Sequence, residues 1–267
     1  GDQKILVLLT NFQNASEPVL SKAQVEGAMD QFRLYTRENS YQKAFTSGIF
    51  APARGADVYG WYTLPVSHNC DFVTVGVEAM REANLRNPEI DFTAYSRLVF
   101  IAPFTCGWEG TANIDRGEFL TPDGTAMVAL ALVDSSPRGI FFNVLAHEIG
   151  HGFGLHHDGM LNCGNAIWAP AGCVDQQYDG VSTMGNRFGG YYGALQKEYV
   201  GWLEPPAIAD VPMNGQYAIG VLELADTATK AIKIPRGPNT SLFVEYRQPL
   251  GADQAIPPSN NIFSVPY

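Results

Sequence analysis

The sequence predicts an α+β protein in which a twisted, mostly parallel sheet with helices precedes a small β-rich region. Strand-like and helical segments alternate in the first half of the chain, and a helix with histidines one turn apart follows the fourth predicted strand. Beyond residue 204, short β-like runs separated by Gly, Pro and Asn replace the helical periodicity. We therefore predict one domain over 1–204, divided into an upper portion (residues 1–154) and a lower portion (residues 155–204), and a β-rich region over 205–267.

Five segments in the first half of the chain carry the sheet prediction. Residues 4–9 form a nearly unbroken apolar run, which is typical of a buried strand. Apolar residues recur at helical spacing between 21 and 45, which predicts one long or broken helix. Residues 58–64 and 96–103 are predicted strands, and the amphipathic stretch 72–85 between them is a predicted helix. This alternation is the order of a mostly parallel sheet covered by helices.

The next segments lead to the histidine-bearing helix. Residues 106–124 are loop-like, and 125–133 are predicted to form a fourth strand. Ser136-Pro137 is expected to begin the helix, with serine as N-cap and proline at the first helical position. Gly152 and Gly154 are expected to end it.

The last third of the chain is richer in turns. Residues 158–181 are turn-rich, and 194–202 predict a closing helix before a Pro-Pro pair. Three further β-like runs, 216–224, 230–234 and 242–247, form the predicted β-rich region.

Composition excludes several classes of partner. The chain has 267 residues, 46% hydrophobic and 16% charged, as expected of a globular protein. Its net charge of −10 argues against nucleic acid and against an anionic membrane surface. The longest apolar run, 126–133, is far shorter than the ~20 residues that span a bilayer.

The four cysteines form an even set without a Cys-x-x-Cys spacing, so zinc-ribbon and redox motifs are unsupported. We predict a disulfide between Cys163 and Cys173, which leaves Cys70 to pair with Cys106. Two disulfides indicate an oxidising, extracellular compartment. The alternative is four buried free thiols in a cytosolic protein.

Four of the five histidines lie between His147 and His157. On a helix, His147 and His151 are one turn apart, so both imidazoles project from one face toward a shared metal ion. Glu148 lies one step round the helix and is predicted to be a general base. After the turn at Gly154, His157 is predicted to supply a third nitrogen, which leaves a fourth position of a catalytic zinc site to water.

Two alternatives accompany this interpretation. A bare His-Glu-x-x-His arises by chance on amphipathic helices, but His-Glu-x-x-His-x-x-Gly-x-x-His fixes five positions. His156 competes with its neighbour His157 for the third ligand position, and the spacing from Gly154 favours His157.

The extended motif resembles that of the metzincin zinc metallopeptidases. Within them, Asp158 after the third histidine, the stretch 178–185 and Val200-Gly201-Trp202-Leu203 look most like the gametolysin family. The resemblance implies that Met184 forms a methionine turn beneath the metal without binding it. Because Asn186 stands two residues past Met184, the additional tyrosine ligand of astacins and serralysins is not expected.

The resemblance implies a metzincin-like catalytic domain over 1–204 and a secreted, zinc-dependent endopeptidase. Glu148 would take a proton from the zinc-activated water as it attacks the peptide bond, then pass it to the departing amine. Asp158 would orient a loop or ligand, although a simple turn residue is a close alternative. By the same resemblance, the strand at 125–133 would be an antiparallel edge that binds protein or peptide substrates in extended form.

Two other classes of function are compatible with a zinc-binding helix. One is a zinc amidohydrolase acting on a non-protein amide, and the other is a silent binding or adhesin module that retains zinc. An intact Glu148 argues against the silent module. We expect a monomer with zinc as its cofactor and neither a nucleic-acid partner nor a membrane span. Calcium stays open, because no Asp-x-Asp-x-Asp-Gly loop is present.

Overall fold

The computed structural model describes residues 1–14, 20–68, 70–135, 141–163, 173–177, 180–185, 190–211, 213–238 and 240–255. The helices are α1 (Lys22–Asn39), α2 (Phe72–Arg86), α3 (Phe141–His151) and α4 (Ala194–Tyr199). The strands are β1 (Asp2–Phe12), β2 (Phe45–Ser47), β3 (Asp57–Leu64), β4 (Arg97–Ala102), β5 (Gly110–Ala112), β6 (Gly117–Thr121), β7 (Gly124–Asp134), β8 (Gly159–Asn162), β9 (Val174–Gln177), β10 (Ile208–Asp210), β11 (Ala231–Gly237) and β12 (Thr240–Glu245). None of the described helices has both the length and the apolar character that crossing a membrane requires.

The chain divides into two compact units. The first, here called the sheet unit, comprises Gly1–Arg37 and Ala44–Leu155. The second, here called the C-terminal unit, comprises Glu38–Lys43 and His156–Tyr267. The predicted division at 204/205 stays a prediction.

The sheet unit is built on a seven-stranded, mostly parallel sheet with the order β2-β1-β4-β7-β5, in which β3 also pairs with β1 and β6 with β7. β1 runs parallel to β2, β3 and β4, and β4 runs parallel to β7. Every residue of β4 is buried, because the central strands of a parallel sheet are covered on both faces. The predicted mostly parallel sheet is confirmed.

Helix α2 shows how local sequence and burial agree in this unit. Asp71 is its N-cap, and its carboxylate accepts a hydrogen bond from the Val73 N–H at 3.2 Å. The buried face consists of Val75, Gly76, Ala79, Met80 and Ala83. The helix ends before Asn87, because a residue followed by proline disfavours helical geometry.

Helix α3 ends in a turn that depends on one glycine. Gly154 has φ of +90°, which glycine adopts without steric cost. Its N–H donates to the His151 carbonyl at 2.8 Å, and the Leu155 N–H donates to the Gly150 carbonyl at 3.3 Å. These two bonds form a Schellman cap, so the predicted glycine termination is confirmed. The predicted N-cap at Ser136-Pro137 lies outside the described residues.

The C-terminal unit contains two small sheets. β8 and β9 form an antiparallel pair beside Cys163 and Cys173. In the second sheet β10 runs parallel to β11, and β11 runs antiparallel to β12. Two predicted runs thus correspond to β11 and β12, whereas 216–224 forms only an isolated bridge at Val221.

One expectation about the fourth strand and one about the segment before it were wrong. β7 is not an antiparallel edge, because it pairs in parallel with β4 and has neighbours on both sides. The segment predicted as a loop supplies β5 and β6, which are the antiparallel strands of this sheet. A two-residue turn joins β6 to β7, and Gly124 there has φ of +119°. Residues 106–124 have a weak local preference for strand, and β5 and β6 form because they pair with β7, which follows them in the chain.

Candidate metal centre

His147 and His151 project from the same face of helix α3, as their spacing predicts. Their ring centroids are 4.8 Å apart and their rings are almost perpendicular. With His157, which follows the Gly154 turn, they offer three ligand nitrogens within 4.8 Å of one another. The structure therefore brings together the three predicted ligands.

The cap of helix α3 also orients His151. Its Nδ1 lies 2.7 Å from the Leu155 carbonyl oxygen, and because a carbonyl only accepts, Nδ1 must carry the proton. In the neutral ring this leaves the lone pair on Nε2, the arrangement in which a second hydrogen bond fixes the tautomer of a metal-binding histidine. Leu155 is itself buried, which holds its carbonyl in place.

His157 rather than His156 belongs to the cluster. His156 is exposed and His157 is half-buried. Burial, with a smaller contribution from the charge of His156, lowers the pKa of His157. A neutral imidazole near pH 7 is the form that binds zinc.

Glu148 is buried next to the edge strand β5. A β-carbon added at Gly110 would lie 2.5 Å from its Cγ and 2.6 Å from its Oε1, so a larger first residue of β5 would displace this carboxyl group. Burial raises the pKa of Glu148 to about 8 in the metal-free protein. A carboxyl group with a raised pKa is suited to exchanging protons near neutral pH.

Two residues of the sheet unit hold the C-terminal end of helix α3. Arg97 at the start of β4 donates to the Gly152 carbonyl at 3.0 Å and lies over the Phe153 ring at 4.0 Å. The Asp115 N–H donates to the His151 carbonyl at 2.8 Å. The end of the helix, and with it His151, is thus fixed from the sheet unit.

Asp158 bonds to the segment that contains Met184. Its backbone N–H donates to the Met184 carbonyl at 3.1 Å, and its carboxylate accepts a hydrogen bond from the Ser182 hydroxyl. Met184 is fully buried. Asp158, which directly follows His157, is therefore hydrogen-bonded to the predicted methionine turn. A simple solvent-exposed turn residue would not make these bonds.

The C-terminal region supports the same segment from its other side. Arg247 donates to the carbonyls of Val181 at 2.9 Å and Tyr191 at 2.6 Å, which lie before and after Met184 in the chain. Asp253 accepts a hydrogen bond from the Tyr191 N–H at 2.7 Å. The region after residue 204 thus helps to fix the backbone on both sides of Met184.

Both predicted disulfides are present. Cys70 is bonded to Cys106 and Cys163 to Cys173, with sequence separations of 36 and 10. The described residues contain no free cysteine.

The donor set fits zinc. Three imidazole nitrogens within reach of one ion are a common catalytic zinc site that leaves one position open. The tautomer of His151 and the lowered pKa of His157 both favour a nitrogen lone pair for the metal. The pKa of Glu148 is raised because burial disfavours the charged carboxylate. A divalent cation held by the histidines would favour that charged form.

Several supporting residues were not predicted from sequence. Gly110, Arg97 and Arg247 act on positions far from them in the chain, and the Arg247 bonds span 66 and 56 residues. Arg97 offered a signal, because a lone charged residue at the start of an apolar strand has to be paired when buried. Gly110 and Arg247 offered none.

Comparisons with known proteins add little to this description. No protein-family model matches the sequence, and no curated protein matches it. Among solved structures, the archaemetzincin of Methanopyrus kandleri is similar at 14% sequence identity, over 74% of this chain and 94% of that one. The TM-score is 0.35, at which the likeness carries no inference about fold or activity.

Proposed function

We propose that the protein is a zinc-dependent endopeptidase. The observation that carries the proposal is the cluster of His147, His151 and His157 beside the buried carboxyl group of Glu148. A site that only binds zinc has no need for a buried acid next to the first ligand. The combination instead supplies a metal position and a proton acceptor together.

The chain's own residues then have distinct roles. The three histidines would hold the ion, which when bound supplies Lewis acidity to water and to a carbonyl group. Glu148 would accept a proton from the attacking water and deliver it to the departing amine. Met184 would support the site through its contact with Asp158 without binding the metal.

The proposed substrate is a protein or peptide in extended form. β5 is the antiparallel edge of the sheet, and its first residue, Gly110, lies against the Glu148 carboxyl group. An extended peptide added to this edge would place its main chain beside the proposed base. The two disulfides support a secreted enzyme, because such bonds persist in oxidising compartments. The motif over 147–203 supports the finer assignment to the gametolysin group.

Hydrolysis of gelatin or casein by the purified chain tests the proposal. We would compare the zinc-loaded parent with Glu148→Gln, whose zinc content is measured separately, and with Glu89→Gln as a matched change at an exposed glutamate. The parent and Glu89→Gln should cleave, and Glu148→Gln should lose roughly 100-fold or more of the rate.

Each outcome decides between functions. Equal cleavage by the parent and Glu148→Gln would indicate a contaminating protease and remove Glu148 as the base. A chain that binds zinc but cleaves no protein would contradict the endopeptidase and favour the binding module. Turnover of a small non-protein amide alone would favour the amidohydrolase.

A further inference from the structure

A second group of potential metal ligands shares no residue with the candidate metal centre. His68, Cys70 and Cys106 each offer one ligand atom, and these atoms lie within 4.8 Å of one another. The two cysteines form a disulfide in the structure. His68 and Cys70 are exposed and Cys106 is half-buried, so solvent and a small reductant reach the bond.

Three contacts, two of them to the ring, position His68 beside the disulfide. Its backbone N–H donates to Asn14 Oδ1 at 2.9 Å, and its ring meets the Phe12 ring edge-on at 5.4 Å between centroids. The Thr105 N–H donates to Nε2 at 3.0 Å. Because that nitrogen accepts, it is unprotonated, and its lone pair points at the residue preceding Cys106.

We propose that reduction of the Cys70–Cys106 bond creates a binding site for a soft divalent cation such as Zn²⁺. Two thiolates and one imidazole are a known zinc donor set, and an exposed site leaves the fourth position to water. A metal ion would take the Nε2 lone pair in place of the Thr105 N–H. The same segment would thus hold a covalent bond in oxidising surroundings and a metal ion in reducing ones.

The chemistry balances with an external reductant. A dithiol reduces the bond by exchange and becomes a disulfide itself, while each cysteine sulfur gains one electron and one proton. A phosphine does the same and leaves as its oxide, with the oxygen taken from water. Binding of the cation then releases the two thiol protons, so the site should strengthen as the pH rises.

The experiment uses the full chain, a phosphine reductant and Co²⁺ as a spectroscopic probe. Thiolate-to-cobalt charge-transfer absorption arises only from sulfur ligands, so the His147 cluster does not contribute to it. We expect one additional Co²⁺ per chain after reduction, with that absorption, and displacement of the cobalt by Zn²⁺. The oxidised chain should show neither the absorption nor the additional ion.

Variants separate the proposed site from the other disulfide. Cys163→Ser/Cys173→Ser should keep the absorption, and Cys70→Ser/Cys106→Ser should lose it. His68→Gln retains an acceptor for the Thr105 N–H but is a poor ligand, so its affinity for Co²⁺ should fall roughly tenfold or more. The His68→Gln variant shows whether His68 is a metal ligand or only accepts the hydrogen bond from Thr105.

Several results would overturn the proposal. Unchanged affinity in His68→Gln would reduce the site to two thiols, and absorption lost with Cys163 and Cys173 would place it elsewhere. Reduction that unfolds the chain without recovery of circular dichroism on adding Co²⁺ would also contradict it. The folding of Cys70→Ser/Cys106→Ser shows independently whether the segment needs the covalent bond.

Discussion

The two units are stabilised in different ways. The sheet unit has a large apolar cluster, in which Leu6, Leu8, Phe92, Leu98 and Phe100 are all fully buried. Among the described residues of the C-terminal unit, one apolar cluster consists of Ala194, Leu203, Leu222 and Ala231 with a few partly buried neighbours, and Met184 and Tyr192 are also fully buried. Relative to this smaller apolar cluster the C-terminal unit buries many charged side chains, which are Lys197, Lys230, Arg247 and Asp253, while the sheet unit buries those of Asp57, Arg97, Asp134 and Glu148.

Helix α3 and the segment with Met184 are therefore stabilised by different interactions. His147, Glu148 and His151 stand on a helix whose buried residues include Leu145, Ala146 and Ile149. The segment with Met184 is held instead by hydrogen bonds of Asp158 and Arg247. Apolar burial tolerates changes that conserve volume, whereas a buried charge leaves its partners unsatisfied once it is removed.

The largest expected effect is therefore in the C-terminal unit. Arg247→Met should lower the free energy of unfolding by about 3–5 kcal/mol, because Glu245 and buried Asp253 lose their cationic partner and two carbonyls lose their donor. Chemical denaturation measures the loss. Arg247→Lys keeps the charge but not the fork of donors and should lose less. A loss below about 1 kcal/mol for Arg247→Met would show that the comparison between the units is wrong.

In the sheet unit the matching change is Leu8→Ala. It should cost about 2–5 kcal/mol, because a fully buried side chain leaves a cavity in the apolar cluster. Leu34→Ala, at a leucine that is 58% exposed, should change stability by less than about 0.5 kcal/mol. Similar losses for the two variants in thermal or chemical unfolding would contradict the assigned core.

The two units should also respond to pH with opposite sign. Burial raises the pKa of Glu148 from 4.5 to about 8 in the metal-free protein, so its stabilising contribution, complete below pH 4.5, is lost as the pH rises to 8. Burial, helped by the Arg247 charge, lowers the pKa of Lys197 from 10.5 to about 7. The Lys197 contribution, complete above pH 10.5, is lost as the pH falls to 7.

Two substitutions separate these contributions. Relative to the metal-free parent, Glu148→Gln should gain stability between pH 4.5 and 8, and Lys197→Met should gain it as the pH falls from 10.5 to 7. Each difference is limited to about 1.4 kcal/mol per pH unit. Urea unfolding across both windows measures it. The Glu148→Gln difference should therefore grow as the pH rises and the Lys197→Met difference as the pH falls, and slopes of the same sign, or no slope in either, would refute the assignment.

The smallest effect is expected at the turn that ends helix α3. Gly154→Ala should cost about 1–2 kcal/mol, because its φ of +90° is strained for any residue with a β-carbon. Gly124→Ala, at φ of +119° in the first residue of β7, is the matched control. Zinc affinity, measured with a competing chelator, should fall only for Gly154→Ala, since that turn orients His151. Equal affinity in both variants would mean that the turn does not preorganise the site.

Features that depend on nearby residues could be predicted from the sequence alone. The ligand spacing of His147, His151 and His157, the glycine that ends the helix and the buried strands of the sheet all follow from local periodicity and backbone preference. The cysteine pairing was also predictable, because four cysteines allow few arrangements. Apart from that pairing, each of these features depends on residues that are close together in the sequence.

What only the tertiary structure decided depends on pairs that are distant in the chain. Because β7 pairs in parallel with β4, the antiparallel edge strand is β5 and not β7. Gly110 of β5 leaves space for the Glu148 side chain. The bonds from Asp158 to Ser182 and from Arg247 to Val181 span 24 and 66 residues. Local propensity contains no information about such partners, because their free energy arises only when the fold brings the two groups together and removes them from water.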